Sequence, residues 1–136
     1  MPEPSPALAA AGLYAASNAL ILVWLGWSVV RIRMRERISI GDGGDPRLTR
    51  AMRGMANFTE YAPMALILIA LMALMGAPAW LVHLLGVALT AGRLIHGWHF
   101  MQADAPGWQR VAGTILTLSV LLLGAVGVAG HALAAL

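Results

Sequence analysis

The chain has no cysteine and no lysine among its 136 residues. Without thiols, disulfides, thiolate metal sites and a protein sulfur nucleophile are excluded, so any sulfur chemistry must come from a bound small molecule. Charge is scarce as well: 11% of residues are charged against 60% hydrophobic. That balance excludes a small soluble domain and points to an integral membrane protein. The opening MPEPSPALAA lacks the basic start of a secretory signal, and the apolar segment behind it is too long for a signal core. It is expected to be a retained first membrane helix.

All nine basic residues are arginines, and seven of them (Arg31, Arg33, Arg35, Arg37, Arg47, Arg50, Arg53) fall in one stretch. Such a cluster beside apolar runs encodes membrane topology and gives no reason to invoke nucleic acid. Charge-free runs long enough to cross a bilayer, punctuated by RIRMRER, ISIGDGGDP, MGAPAW and MQADAPGWQR, predict an all-α fold of four membrane helices over about 7–33, 46–75, 78–102 and 107–135. One domain, 1–136, is expected. Asp45 and Pro46 supply a cap and a first helical position for the second helix. Basic loops stay cytoplasmic, which puts both termini and the GAPA turn on the far side. Trp24, Trp27, Trp80, Trp98 and Trp108 fall near span ends, as interfacial aromatics do. Pro63 is expected to kink the second helix, GDGG is expected to be a turn, and Gly124, Gly127 and Gly130 to pack a helix closely.

The second helix carries Arg50, Arg53, Asn57 and Glu60 at spacings of three, four and three, one stripe within an arc of roughly 80°. Charge at membrane depth costs several kcal/mol unless it is paired or faces a wet cavity, so this stripe must point into a bundle. It serves either a structural ion-pair network, such as Glu60 with a neighbouring arginine, or a pocket for a small, multiply charged ligand. Arg93, His96 and Phe100 form a second stripe, on the third helix. His96 and His99 have a metal-compatible spacing but no third ligand near them in sequence, so no metal site is assigned. His83 and His131 lie near the far-side ends and carry no assigned role.

RAMRGMANFTEYAP, residues 50–63, with its R-x-x-R-x-x-x-N-x-x-E-Y-x-P pattern, resembles the signature of the MAPEG family, the membrane-associated proteins of eicosanoid and glutathione metabolism. The likeness extends to GRLIHGWHF on the third helix and to an arginine opening the fourth, in the manner of a bacterial-type member. It implies a four-helix homotrimer in the bacterial inner membrane, with glutathione bound between subunits near the cytoplasmic face. By position, Arg53, Asn57, Glu60, Tyr61 and Arg93 match the family's glutathione contacts, and Arg50 a more variable basic position. His96 and Phe100 stand where several eukaryotic members have tyrosines. Arg31, Arg33 or Arg35 fills the role of the first-helix arginine, with Arg33 favoured. Arg110 matches the catalytic arginine that activates the thiol, while Val111 replaces a serine found in one branch.

The chemistry has its own logic. Arginines suit the two carboxylates of glutathione through charged, bidentate hydrogen bonds, and a carboxylate such as Glu60 suits its ammonium. A guanidinium beside a thiol favours the thiolate, the nucleophilic form. The expected function is therefore a glutathione-dependent transferase of detoxification type, also considered for peroxidase activity, acting on a lipophilic small molecule delivered through membrane lipid. Two alternatives stand beside it: a MAPEG-fold binding or scaffold protein without catalysis, and a small proton-coupled multidrug transporter. The transporter ranks lower because the intramembrane glutamate of such proteins lies on the first helix without flanking arginines.

Overall fold

The computed structural model describes residues 3–136. Four helices follow one another: α1 (Pro6–Glu36), α2 (Pro46–Leu74), α3 (Ala79–Met101) and α4 (Gly107–Ala134). Each is long and apolar enough to cross a membrane. Their ends are set by local chemistry. Ser5 Oγ accepts the Leu8 N–H at 3.2 Å and Pro6 follows it; Asp45 Oδ1 accepts the Arg47 N–H at 2.8 Å and Pro46 follows that. α1 runs on through the arginine ladder to Glu36, beyond the expected end near 33. It stops where Arg37 turns left-handed at φ +56° and the Ile38 N–H closes back on the Arg33 carbonyl. A side chain in that conformation costs about 1–2 kcal/mol relative to glycine.

The GDGG segment is a loop, with Gly41, Gly43 and Gly44 at positive φ. Asp42 ties it together, accepting the Gly44 N–H at 3.0 Å and the Thr49 hydroxyl at 2.9 Å. Asp45 and Glu36 both grip Arg47, at 2.7 and 2.9 Å, so the start of α2 is clamped to the end of α1.

α2 and α3 form the central pair. α1 packs across both, α4 packs across both, and α1 and α4 do not touch one another among the described residues. In lipid, apolar burial does little to drive helices together, so close backbone approach matters more. The closest approach joins α3 to α4: a Cβ on Gly113 would sit 2.6 Å from His96 Cβ and 2.7 Å from the Gly92 carbonyl oxygen. Gly86 leaves room for the Tyr14 ring, and Gly97 for Trp24. The Gly124, Gly127, Gly130 series is used in part. Gly124 faces Leu68 and Gly127 faces Met72, whereas nothing lies within 4 Å of a Cβ on Gly130. Pro63 lies on the exposed side of α2, which continues unbroken through it.

At the end of the bundle near the termini, a polar ladder joins α1 to α3. Tyr14 Oη pairs with His83 Nδ1 at 2.8 Å, and the fully buried Asn18 donates to Thr90 Oγ1 at 2.9 Å. His83 therefore has a structural partner that its position in sequence did not reveal.

Candidate functional site

The stripe on α2 lies along the edge of that helix's buried face, which is formed by Leu48, Ala51, Gly54, Phe58 and Ala62. Arg50, Arg53 and Asn57 each precede a buried residue, about 100° away around the helix, whereas Glu60 precedes the exposed Tyr61. The stripe therefore does not point as a whole into the chain's own bundle, as the cost of charge in lipid had suggested; only Arg50 and Asn57 reach inward, toward α3. Arg53, Glu60 and Tyr61 are exposed on the surface of the single chain. Among the described residues, ion pairs involve only Arg35, Glu36, Asp45 and Arg47 at the α1–α2 loop, so Glu60 has no intrachain partner.

Arg93 is the deepest charge, 2% exposed on α3. Its Nη1 donates to Asn57 Oδ1 at 2.9 Å and its Nη2 to the Gly113 carbonyl of α4 at 3.2 Å, while Nε is buried without an acceptor. Asn57, Tyr61 and Arg93 meet Thr114, Thr117 and Leu118 around a cavity of about 50 Å³ between α2, α3 and α4. Sequence reading did not single out the two threonines. Their signal was the spacing from Arg110, since residues 110, 114 and 117 fall on one face of α4. Arg110 is exposed one turn above that cavity. Thr114 Oγ1 donates to the Arg110 carbonyl at 2.9 Å, and Thr117 Oγ1 to the Gly113 carbonyl at 2.8 Å.

The remaining candidates sit closer to the loop end. His96 is buried against Gly113 and packs against Phe100 with ring centroids 5.0 Å apart and the rings tilted by 40°. Arg50 donates through Nη2 to the His99 and Gln102 carbonyls, each at 2.8 Å, capping the end of α3, and its guanidinium lies 5.7 Å from the Phe100 ring centre. Arg33 turns toward the α1–α2 loop, where it reaches the Ile38 carbonyl at 3.4 Å and Met52 Sδ at 3.5 Å. The candidates thus divide into an inward group (the half-buried Asn57 with the buried Arg93 and His96), an exposed rim (Arg53, Glu60, Tyr61, Arg110) and a loop-end pair (Arg50, Phe100), with Arg33 apart. Among the described residues, no three histidine or carboxylate side chains gather into a metal-binding group.

This arrangement of four spans, with an arginine–asparagine link between α2 and α3 and a charged rim beside it, coincides with a family match. A model of the MAPEG family covers residues 11–130. The chain belongs to the MAPEG family. It is similar to the inner membrane protein YecN of Escherichia coli strain K12, at 43% identity over 111 residues that cover 82% of this chain and 83% of YecN. The same values hold for YecN of Escherichia coli O6:H1 strain CFT073. Four membrane-length helices together with this relative make this MAPEG protein a multi-pass protein of the bacterial inner membrane.

Proposed function

We propose that this MAPEG protein binds glutathione along the outer edge of α2 and uses it as a transferase acting on lipophilic electrophiles. The observation that carries the reading is the unpaired Arg53 and Glu60 on one stripe, flanking the Asn57–Arg93 link. Seven residues of helix separate the two charges by about 10 Å along the axis. A cation and an anion held that far apart, with no ion-pair partner among the described residues, suit a ligand that carries both carboxylate and ammonium groups.

Arg53 would hold a carboxylate and Glu60 the ammonium, and Tyr61 would add a hydroxyl at the rim. Glutathione supplies the sulfur nucleophile that a chain without cysteine lacks. The Arg110 guanidinium stabilises negative charge on that sulfur without acting as a base. Asn57 and Arg93 fix α2 against α3, and so fix the rim. Further copies of the chain, three in all as the family resemblance implies, cover the stripe and remove the cost of leaving it against lipid. The basic loops and the site then face the cytoplasm. A crevice of about 430 Å³ lined by Trp24, Leu94, Ile95, Trp98, Trp108 and Gln109 offers an apolar surface next to the opening turn of α4. Membership of the MAPEG family supports the transferase and binding readings over the transporter.

One feature favours a second reading, binding without catalysis: positions 96 and 100 are histidine and phenylalanine, so neither presents a hydroxyl toward a ligand, and His96 is buried against the Phe100 ring. Titrating glutathione into the detergent-solubilised protein while following thiolate absorbance separates the two. A thiolate signal abolished by Arg110→Ala supports the transferase. Binding with no thiolate supports the second reading, and no binding overturns both.

A further inference from the structure

At the loop end, α1, α2 and α3 enclose a cleft of about 640 Å³ that shares no lining residue with the Asn57–Arg93 cavity. Arg31 and Arg35 of α1 and Arg47 and Arg50 of α2 line it, against a single carboxylate, Glu36. Glu36 is already paired, closely with Arg47 at 2.9 Å and more loosely with Arg35 at 3.6 Å. Arg31 and Arg35, four residues apart and therefore on one face, are both exposed, and Arg31 has no partner in the chain among the described residues. Arg50 keeps its Nε buried without an acceptor. Beneath the charges the lining turns apolar, through Ile32, Phe100 and Met101.

We propose that this cleft holds the headgroup of an anionic membrane phospholipid, with its phosphate between Arg31 and Arg35 and its glycerol against the apolar floor. Charge complementarity selects this occupant. A phosphodiester needs cations alone, and arginine forks match its oxygens. Glutathione also needs an anion for its ammonium, and the one carboxylate present is committed. The cleft lies at the ends of three membrane spans, the depth at which basic pockets between helices meet lipid headgroups. Arg50 and Phe100, candidates for glutathione by family position, also line this cleft, but the proposed glutathione rim of Arg53, Glu60, Tyr61 and Arg110 does not, so the two ligands are separable by competition.

The test is native mass spectrometry of the full-length, delipidated protein, comparing retention of phosphatidylglycerol with that of phosphatidylcholine of the same acyl chains. The expected preference for phosphatidylglycerol is about tenfold or more, consistent with two arginines at a membrane surface. It falls toward unity in the Arg31→Gln/Arg35→Gln double variant and survives saturating glutathione. Equal retention of the two lipids by the unmodified protein, an unchanged preference in the double variant, or displacement by glutathione would each overturn the proposal. The comparison of lipids and the glutathione arm need no variant, so they decide the matter even if the substitutions disturb folding.

Discussion

Arg93 on α3 donates to Asn57 on α2 across 2.9 Å, and the same guanidinium reaches the Gly113 carbonyl on α4. One buried cation thus ties three helices together beside the exposed rim of Arg53, Glu60 and Tyr61.

Removing the acceptor should therefore cost more than removing both partners. Asn57→Ala leaves a buried charge short of one hydrogen bond and is expected to destabilise the fold by about 1.5–3 kcal/mol. Asn57→Ala/Arg93→Met removes that stranded charge and should recover part of the loss. Thermal unfolding in detergent measures both, and a double variant less stable than the single one would contradict the account.

The α3–α4 crossing should be intolerant of a single methyl group. Gly113→Ala places a carbon 2.6 Å from His96 Cβ and 2.7 Å from a backbone oxygen, so the helices must part, at about 1–3 kcal/mol. Gly130→Ala meets nothing within 4 Å and should stay within about 0.5 kcal/mol of wild type. Equal melting temperatures for the two variants would refute this packing.

The start of α2 should weaken in acid. Asp45 is held down to about 2 from its ordinary value of 3.8, first by its side-chain hydrogen bond to Arg47 and then by the backbone N–H groups it caps. A carboxyl whose pKa is depressed by folding adds stability above its unfolded value, and that stability is lost as pH falls through the folded one. The advantage of wild type over Asp45→Asn should therefore be complete above about pH 4 and fade toward about pH 2. Unfolding curves recorded across that range should show the gap closing, and a gap independent of pH would be inconsistent with it.

Glutathione binding should depend on the rim while folding does not. Glu60→Gln and Arg53→Gln each remove a charged hydrogen bond and should weaken binding by roughly 10- to 100-fold. Both side chains are exposed and have no ion pair among the described residues, so monomer stability should shift by no more than about 0.5 kcal/mol. Calorimetric titration against a parallel melting curve checks both parts. Unchanged affinity in both variants would remove the rim from the site.

Helix number and approximate ends were legible because they depend on local quantities: the length of an apolar run against bilayer thickness, a cap such as Asp45, a break such as Gly76 with Pro78. The periodicity of Arg50, Arg53, Asn57 and Glu60 was legible for the same reason, since it needs only the turn of one helix. The roles within that stripe were not. Arg50 and Arg53 look equivalent in sequence, yet Arg50 is spent on the carbonyls that end α3 while Arg53 stays exposed.

The amino-acid order alone determined an all-α membrane protein, the polar stripes on α2 and α3, and the residues that match the MAPEG pattern. Only the tertiary structure decided that Asn57 turns to Arg93, that Thr114 and Thr117 complete their cavity, that Arg33 faces a loop while Arg31 and Arg35 line a cleft, and that Glu60 has no intrachain ion partner. The physical reason is distance along the chain. Helical periodicity relates residues a few positions apart, whereas Asn57, Arg93 and Gly113 meet only because glycines let α3 and α4 approach closely enough for one guanidinium to span the gap.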